Sequence, residues 1–204
     1  MLTVSRRYRA TSNVKLPLRV IPTVTEIGTT KVSYDVTVKT NYHNKLSATG
    51  VVLRIPTPLN TTNVECQVAN GKAKYVPAEN VVVWKYVFFA LVSTYLETHT
   101  HMNRIPRIQG GQECTFSAVA ELTSTTTRQV WARPPIDVDF QVLMFTASGL
   151  IVRFLKVFEK SNYQSIKWVR YLTKANGSYQ IRVRLLCLCV PYCDSDKRHL
   201  VVQF

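Results

Sequence analysis

The residues with the clearest capacity for chemistry lie in Ile166-Lys167-Trp168-Val169-Arg170-Tyr171-Leu172, where β-forming side chains alternate with two cations. As a strand, this stretch puts Lys167 and Val169 on one face and Trp168 and Arg170 on the other. An indole beside a guanidinium can hold an aromatic ring and hydrogen-bond its polar tip. The same pattern fits a strand whose Trp is core and whose Arg is solvated. Lys72 and Lys74, two residues apart, share one face of a second short strand, which suits either an anion contact or a solvated basic face. Metal chemistry has little support: His99 and His101 have no Cys or carboxylate set around them, and Cys187, Cys189 and Cys193 match no common zinc-ligand spacing. Four histidines without a Ser or Cys partner in a recognisable motif, no Gly-rich phosphate loop and scattered carboxylates argue against an enzyme, and no cofactor is implied.

Composition narrows the partners. Lys and Arg outnumber Asp and Glu 26 to 12, and a net charge of +14 predicts attraction to an anionic partner, whether phospholipid, nucleic acid or acidic protein. A chain of 204 residues with 46% hydrophobic content buries a core without staples, as one large β domain or two small ones. Five cysteines are an odd number, and Met1 to Arg7 lacks the apolar core of a secretory signal, which predicts a reducing, cytosolic setting. The most apolar run, Tyr86 to Leu96, is about half the roughly 20 residues of a membrane-spanning helix, so none is predicted.

The elements that must position these residues are short strands. Leu16 to Val24, with Pro17 and Pro22, suits an edge strand or an extended entry segment. Val32, Tyr34, Val36 and Val38 alternate with polar residues, as do Phe116, Ala118, Ala120 and Leu122, and Ile136, Val138, Phe140 and Val142, which predicts half-buried antiparallel strands. Further strands are expected over Gly50 to Pro56, Val64 to Val68, Lys72 to Val76 and Val81 to Lys85, with turns at Asn41 to Lys45, Asn70-Gly71, Thr123 to Thr127 and Ala175 to Ser178. Leu150 to Phe158, apolar on both faces, reads as a central strand, Ile166 to Leu172 as its successor, and Tyr179 to Arg182 as a last short strand. Short strands at this spacing predict an all-β sandwich.

Five ordered blocks carry a family resemblance: Leu16 to Pro22, Arg54-Ile55-Pro56-Thr57-Pro58-Leu59-Asn60, Gly71-Lys72-Ala73-Lys74-Tyr75, Glu79 to Lys85, and Trp131-Ala132-Arg133-Pro134-Pro135-Ile136. They resemble the mu homology domain, the cargo-binding domain of the medium subunit of clathrin adaptor complexes. Their wording is more like the plasma-membrane (second) adaptor complex than the Golgi and endosomal types. The fold implied is an elongated antiparallel β-sandwich, incomplete at its amino-terminal side. The similarity spans 7–182; 1–6 reads as a non-family leader, 86–102 as a non-family insertion from a retained intron or gene-model error, and 183–204 as a non-family tail from read-through. The alternative for 86–102 is a genuine apolar insertion.

The resemblance implies two sites. In the family, a Tyr-x-x-Φ sorting signal, with Φ a bulky apolar residue, lies extended along a strand by β-augmentation. Trp168 and Arg170 would hold the tyrosine, and Val152, Leu155, the Lys167 stem and Val169 would line the Φ pocket. Val152 and Leu155 are an odd number of residues apart, so a bulge must bring them to one pocket. Part of the family's tyrosine pocket, including an Asp and a Phe, comes from strands preceding this stretch, so half of the pocket is expected here. Lys72, Lys74 and Lys85 match the family's contacts to phosphatidylinositol 4,5-bisphosphate, with Val76 standing where the family has a further lysine. The partners implied are Tyr-x-x-Φ motifs of transmembrane cargo, the other subunits of a heterotetrameric adaptor complex, whose docking domain is absent from this stretch, and phosphoinositide membrane. The place implied is the cytoplasmic side of the plasma membrane at clathrin-coated pits. A basic β module binding nucleic acid is the alternative that composition leaves open, with Trp and Tyr beside Lys and Arg as stacking platforms.

Overall fold

A computed structural model describes residues 7–10, 14–86, 107–124, 131–156, 168–175, 177, 179–183 and 200–203. Among them there are thirteen strands and no helix: β1 (Arg7–Ala10), β2 (Leu18–Ile27), β3 (Lys31–Thr40), β4 (Ser47–Pro56), β5 (Thr61–Val68), β6 (Lys72–Val76), β7 (Val81–Lys85), β8 (Arg107–Gln109), β9 (Glu113–Leu122), β10 (Ile136–Leu143), β11 (Leu172–Ala175), β12 (Gln180–Ile181) and β13 (Leu200–Gln203). They form a four-stranded sheet in the order β2-β3-β9-β5 and a nine-stranded sheet in the order β1-β13-β11-β10-β4-β7-β6, with β12 paired to β10 and β8 to β4. Every pairing is antiparallel, so the all-β sandwich read from the alternation is what the chain builds.

The alternating segments owe their regularity to burial on one face. Val32, Tyr34, Val36 and Val38 of β3 and Phe116, Ala118 and Ala120 of β9 are buried, as are Leu53 and Ile55 of β4 and Val138 and Phe140 of β10. The two faces meet where Trp84 of β7 stacks on Phe116 of β9, with ring centroids 5.3 Å apart. Tyr179 fastens the sheets a second time: its hydroxyl donates to the Leu18 carbonyl at 2.8 Å while its ring packs edge-on against Phe140. Pro22 sits in β2, an edge strand, where a missing N–H is tolerated.

β4 is divided by a bulge. Asp139 pairs with Val52 but Gln141 pairs with Thr49, so one extra residue lies on β4, and Gly50 there has φ of 61°. The bulge separates the part of β4 that pairs with β8, Ser47 to Thr49, from the part that pairs with β7, Val52 to Pro56. Tyr42 closes this corner, donating its hydroxyl to the Ile108 carbonyl at 2.7 Å and accepting from the Ala48 N–H at 3.1 Å. Burial pushes its phenol up to about 12.

Two expectations are corrected. Residues 150–156 form no strand and are exposed, Ile151 and Phe154 to 70% and 72%, so this is an apolar surface segment rather than a central strand. Double-sided apolarity reads as burial, but here it marks a patch open to solvent. Trp168 to Tyr171 are not in a ladder either; the strand begins at Leu172. Tyr86, first residue of the stretch read as inserted, is buried, and its N–H donates to the Val51 carbonyl at 3.1 Å. Residues 87–102, His99 and His101 among them, and the three clustered cysteines lie outside the described residues.

Trp84→Ala removes the larger ring of the cross-sheet stack and should lower stability in urea unfolding by about 3–5 kcal/mol. A loss under about 1 kcal/mol would show that the stack does not hold the sheets together.

Candidate functional site

Trp168 and Arg170 are both exposed, Trp168 to 52%, with Val169 between them half-buried. The Arg170 guanidinium carbon lies 5.1 Å from the Trp168 ring centroid, within cation–π range. The two side chains that the alternation put on one face do lie together, although the backbone there is not a strand. Trp168 is spent on no core: of the chain's three tryptophans, Trp84 is buried and Trp131 half-buried. A half-exposed indole beside a guanidinium is a surface that can stack an aromatic ring and donate hydrogen bonds.

The strand that follows anchors this pair. Thr173 is fully buried and its hydroxyl donates to the Phe145 carbonyl at 2.5 Å, while Ala175 packs in the core. The Met144 N–H donates to the Tyr171 carbonyl at 2.8 Å, which carries the β10 pairing one residue beyond β11. Tyr171, unnoticed in the sequence, joins the two halves of the expected cargo site: its hydroxyl accepts from the Val152 N–H at 2.9 Å. Val152 is 38% exposed and Leu155 44%, and because 150–156 is not a strand, the strict alternation that separated them does not apply. Lys167 lies outside the described residues.

The three lysines lie at the other end of the same sheet. Lys72 of β6 is directly opposite Lys85 of β7, and Lys74 lies two residues along on the same exposed face, opposite Val83. Their inward neighbours Ala73 and Tyr75 pack against the core. The Asn70-Gly71 turn sets this register. Trp84 donates its indole N–H to the Asn70 carbonyl at 3.0 Å, and a Cβ on Gly71, with φ of 100°, would lie 2.4 Å from the Lys85 carbonyl oxygen. Val76 occupies the last position of β6 opposite Val81, so the cationic row stops at Lys74.

Arg54 lies beside Val83 on this face, but its guanidinium is held by Asp139 at 2.6 Å, and that hydrogen bond raises its pKa. With side chains 42% and 21% exposed, the pair contributes below about 1 kcal/mol, yet it directs Arg54 toward β10 and away from the lysines. From β11 to β6 the sheet passes β10, β4 and β7, four strand spacings or about 19 Å. Among the described residues no cluster of three or more His, Cys, Asp or Glu could hold a metal ion, and no helix is long and apolar enough to cross a membrane.

A model of the adaptor complexes medium subunit family matches residues 6–183. The AP-2 complex subunit mu of Dictyostelium discoideum is 46% identical over 179 residues, which cover 87% of this chain and 36% of that protein. The proteins of that name from Schizosaccharomyces pombe and Saccharomyces cerevisiae are 41% and 37% identical, each over 86% of this chain and 35% and 33% of their own length. The chain thus spans about a third of the length of these curated relatives.

Tyr171→Phe removes the acceptor of the Val152 N–H while keeping the ring. Amide exchange at Val152 should quicken by about threefold to tenfold, since one hydrogen bond is worth about 0.5–1.5 kcal/mol net. Unchanged exchange would mean that Tyr171 does not position this segment.

Proposed function

The chain belongs to the adaptor complexes medium subunit family, and from that premise we propose that it is the cargo-binding part of a clathrin adaptor medium subunit of the plasma-membrane type. It takes Tyr-x-x-Φ sorting signals at Trp168 and Arg170 and acidic phosphoinositide membrane at Lys72, Lys74 and Lys85. The observation that carries this is the half-exposed indole with a guanidinium 5.1 Å from its centre, next to a strand already fixed in a sheet.

The chemistry follows from the peptide. Backbone pairing with a strand supplies affinity that is blind to sequence, and pockets for spaced side chains supply specificity. A tyrosine ring stacks on the indole and its hydroxyl accepts from the guanidinium, while a bulky apolar side chain three residues on meets Val152, Leu155, Val169 and the Lys167 stem. Phosphorylation adds about two negative charges and bulk to the group that must enter a closed contact, so it acts against binding. The lysine row supplies a second, cooperative attachment: cargo tails emerge from the membrane that the lysines bind, so each contact raises the effective concentration of the other.

In this reading the chain acts without catalysis, as one part of a heterotetrameric adaptor complex. It works at clathrin-coated pits on the cytoplasmic face of the plasma membrane, in endocytosis and vesicle transport.

Trp168→Ala and Arg170→Glu should each weaken binding of a Tyr-x-x-Φ peptide by about tenfold or more in calorimetric titration, and the tyrosine-phosphorylated peptide should not bind. Equal affinity of wild type and both variants, or of the two peptides, would sink the cargo site.

At about 1 kcal/mol per cation near an acidic surface, Lys72→Glu/Lys74→Glu should lower affinity for liposomes containing phosphatidylinositol 4,5-bisphosphate at least about tenfold. Neutral liposomes serve as the reference, and unchanged binding to the acidic ones would return these lysines to a merely solvated face.

A further inference from the structure

β11, the strand into which Trp168 to Tyr171 lead, has both edges taken. β10 holds one, with Leu172 opposite Leu143 and Ala175 opposite Phe140, and the Met144 N–H extends that side to Tyr171. β13 holds the other, with Lys174 opposite Val201, Thr173 opposite Val202 and Leu172 opposite Gln203. β1 closes over the far edge of β13, pairing Arg7 with Gln203 and Ala10 with Leu200. β13 enters opposite Lys174 and runs toward Leu172, so it heads for the Trp168–Arg170 end of the strand.

A peptide that binds by strand addition needs unpaired backbone groups on one edge of its receptor strand. The β10 side of β11 is interior to the sheet, locked by the buried Thr173 and Ala175, and cannot open without breaking the core. The β13 side is therefore the only edge of β11 that can be freed. We propose that the strand Leu200–Gln203 is an intramolecular competitor of cargo, an autoinhibitory strand that, paired to Leu172, Thr173 and Lys174, lies on the edge along which a peptide seated at Trp168 and Arg170 continues. This rests on the cargo reading above and adds a regulatory element to the same site.

The competitor has the properties that regulation requires. It belongs to the same chain as β11, so its effective concentration at that edge is high. It is only four residues long, with three register pairs to β11, so its hold is weak enough to be displaced. Apparent affinity for the peptide is reduced by the fraction of molecules in which the edge is free. Whatever releases β13, by binding the tail or β1, raises cargo affinity without touching Trp168 or Arg170.

Consecutive N–H groups of a strand point to opposite edges, so Val201→Pro/Val202→Pro removes one ladder donor on each side of β13. The double variant of this chain should bind a Tyr-x-x-Φ peptide about fivefold or more tighter than wild type in calorimetric titration. In wild type, saturating peptide should speed amide exchange at residues 200–203, a readout that needs no substitution. Equal or weaker binding by the variant, or peptide binding with exchange at 200–203 unchanged, overturns the competitor while leaving the cargo site standing. No binding by either form overturns both.

Discussion

Pairing of β4 on both of its edges is the constraint from which the rest of the structure follows. β7 takes Val52 to Pro56 on one side and β10 takes Ala48 to Arg54 on the other, while the bulge at Gly50 lets the same strand also receive β8. From this centre the sheet grows outward in two directions, through β7 to the lysines of β6 and through β10 to β11 and the tryptophan–arginine pair. The ladder therefore sets β6 and β11 four strands apart, and the cross-sheet stack of Trp84 on Phe116 anchors it to the second layer.

Charge alone does not distinguish those regions; geometry does. A net +14 draws the whole chain to anionic surfaces, but the members differ in how they are held. Arg54 is directed by Asp139 and Arg133 by Glu26 at 2.6 Å, so both are structural cations. Lys72 and Lys85 stand directly opposite each other across the β6–β7 pair. Arg170 lies against an exposed indole, where its planar donors can meet a hydroxyl. The cations thus differ in what lies beside them: a carboxylate for Arg54 and Arg133, a second lysine for Lys72, an indole for Arg170.

The sandwich was legible in the sequence wherever one face is buried and the other wet. β3, β9 and β10 alternate because every second side chain enters the core, and β7 could be placed from Val81 to Lys85 alone. β1, β8 and β13 were not legible, since three or four residues carry too little pattern to stand out. The apolar run after Gly149 misled in the opposite sense. Leu150, Ile151, Phe154 and Leu155 have the composition of a buried strand and yet lie exposed, a difference that composition cannot express. In the candidate site, spacing alone paired Trp168 with Arg170, and the family resemblance supplied their role. The hydroxyl of Tyr171, which ties Val152 to the same place, depends on a contact across nineteen positions that no local pattern encodes.

In the function proposed above, the exposed Trp168–Arg170 pair beside β11 receives an extended tyrosine-bearing peptide. Titrating isotope-labelled protein with a Tyr-x-x-Φ peptide and following the indole N–H resonances by NMR tests it directly. The Trp168 indole and the amides of 168–174 should shift together and saturate, while the Trp84 indole, bonded to the Asn70 carbonyl in the core, stays in place. Saturating shifts confined to the four-stranded sheet, with the Trp168 indole unmoved, would contradict it.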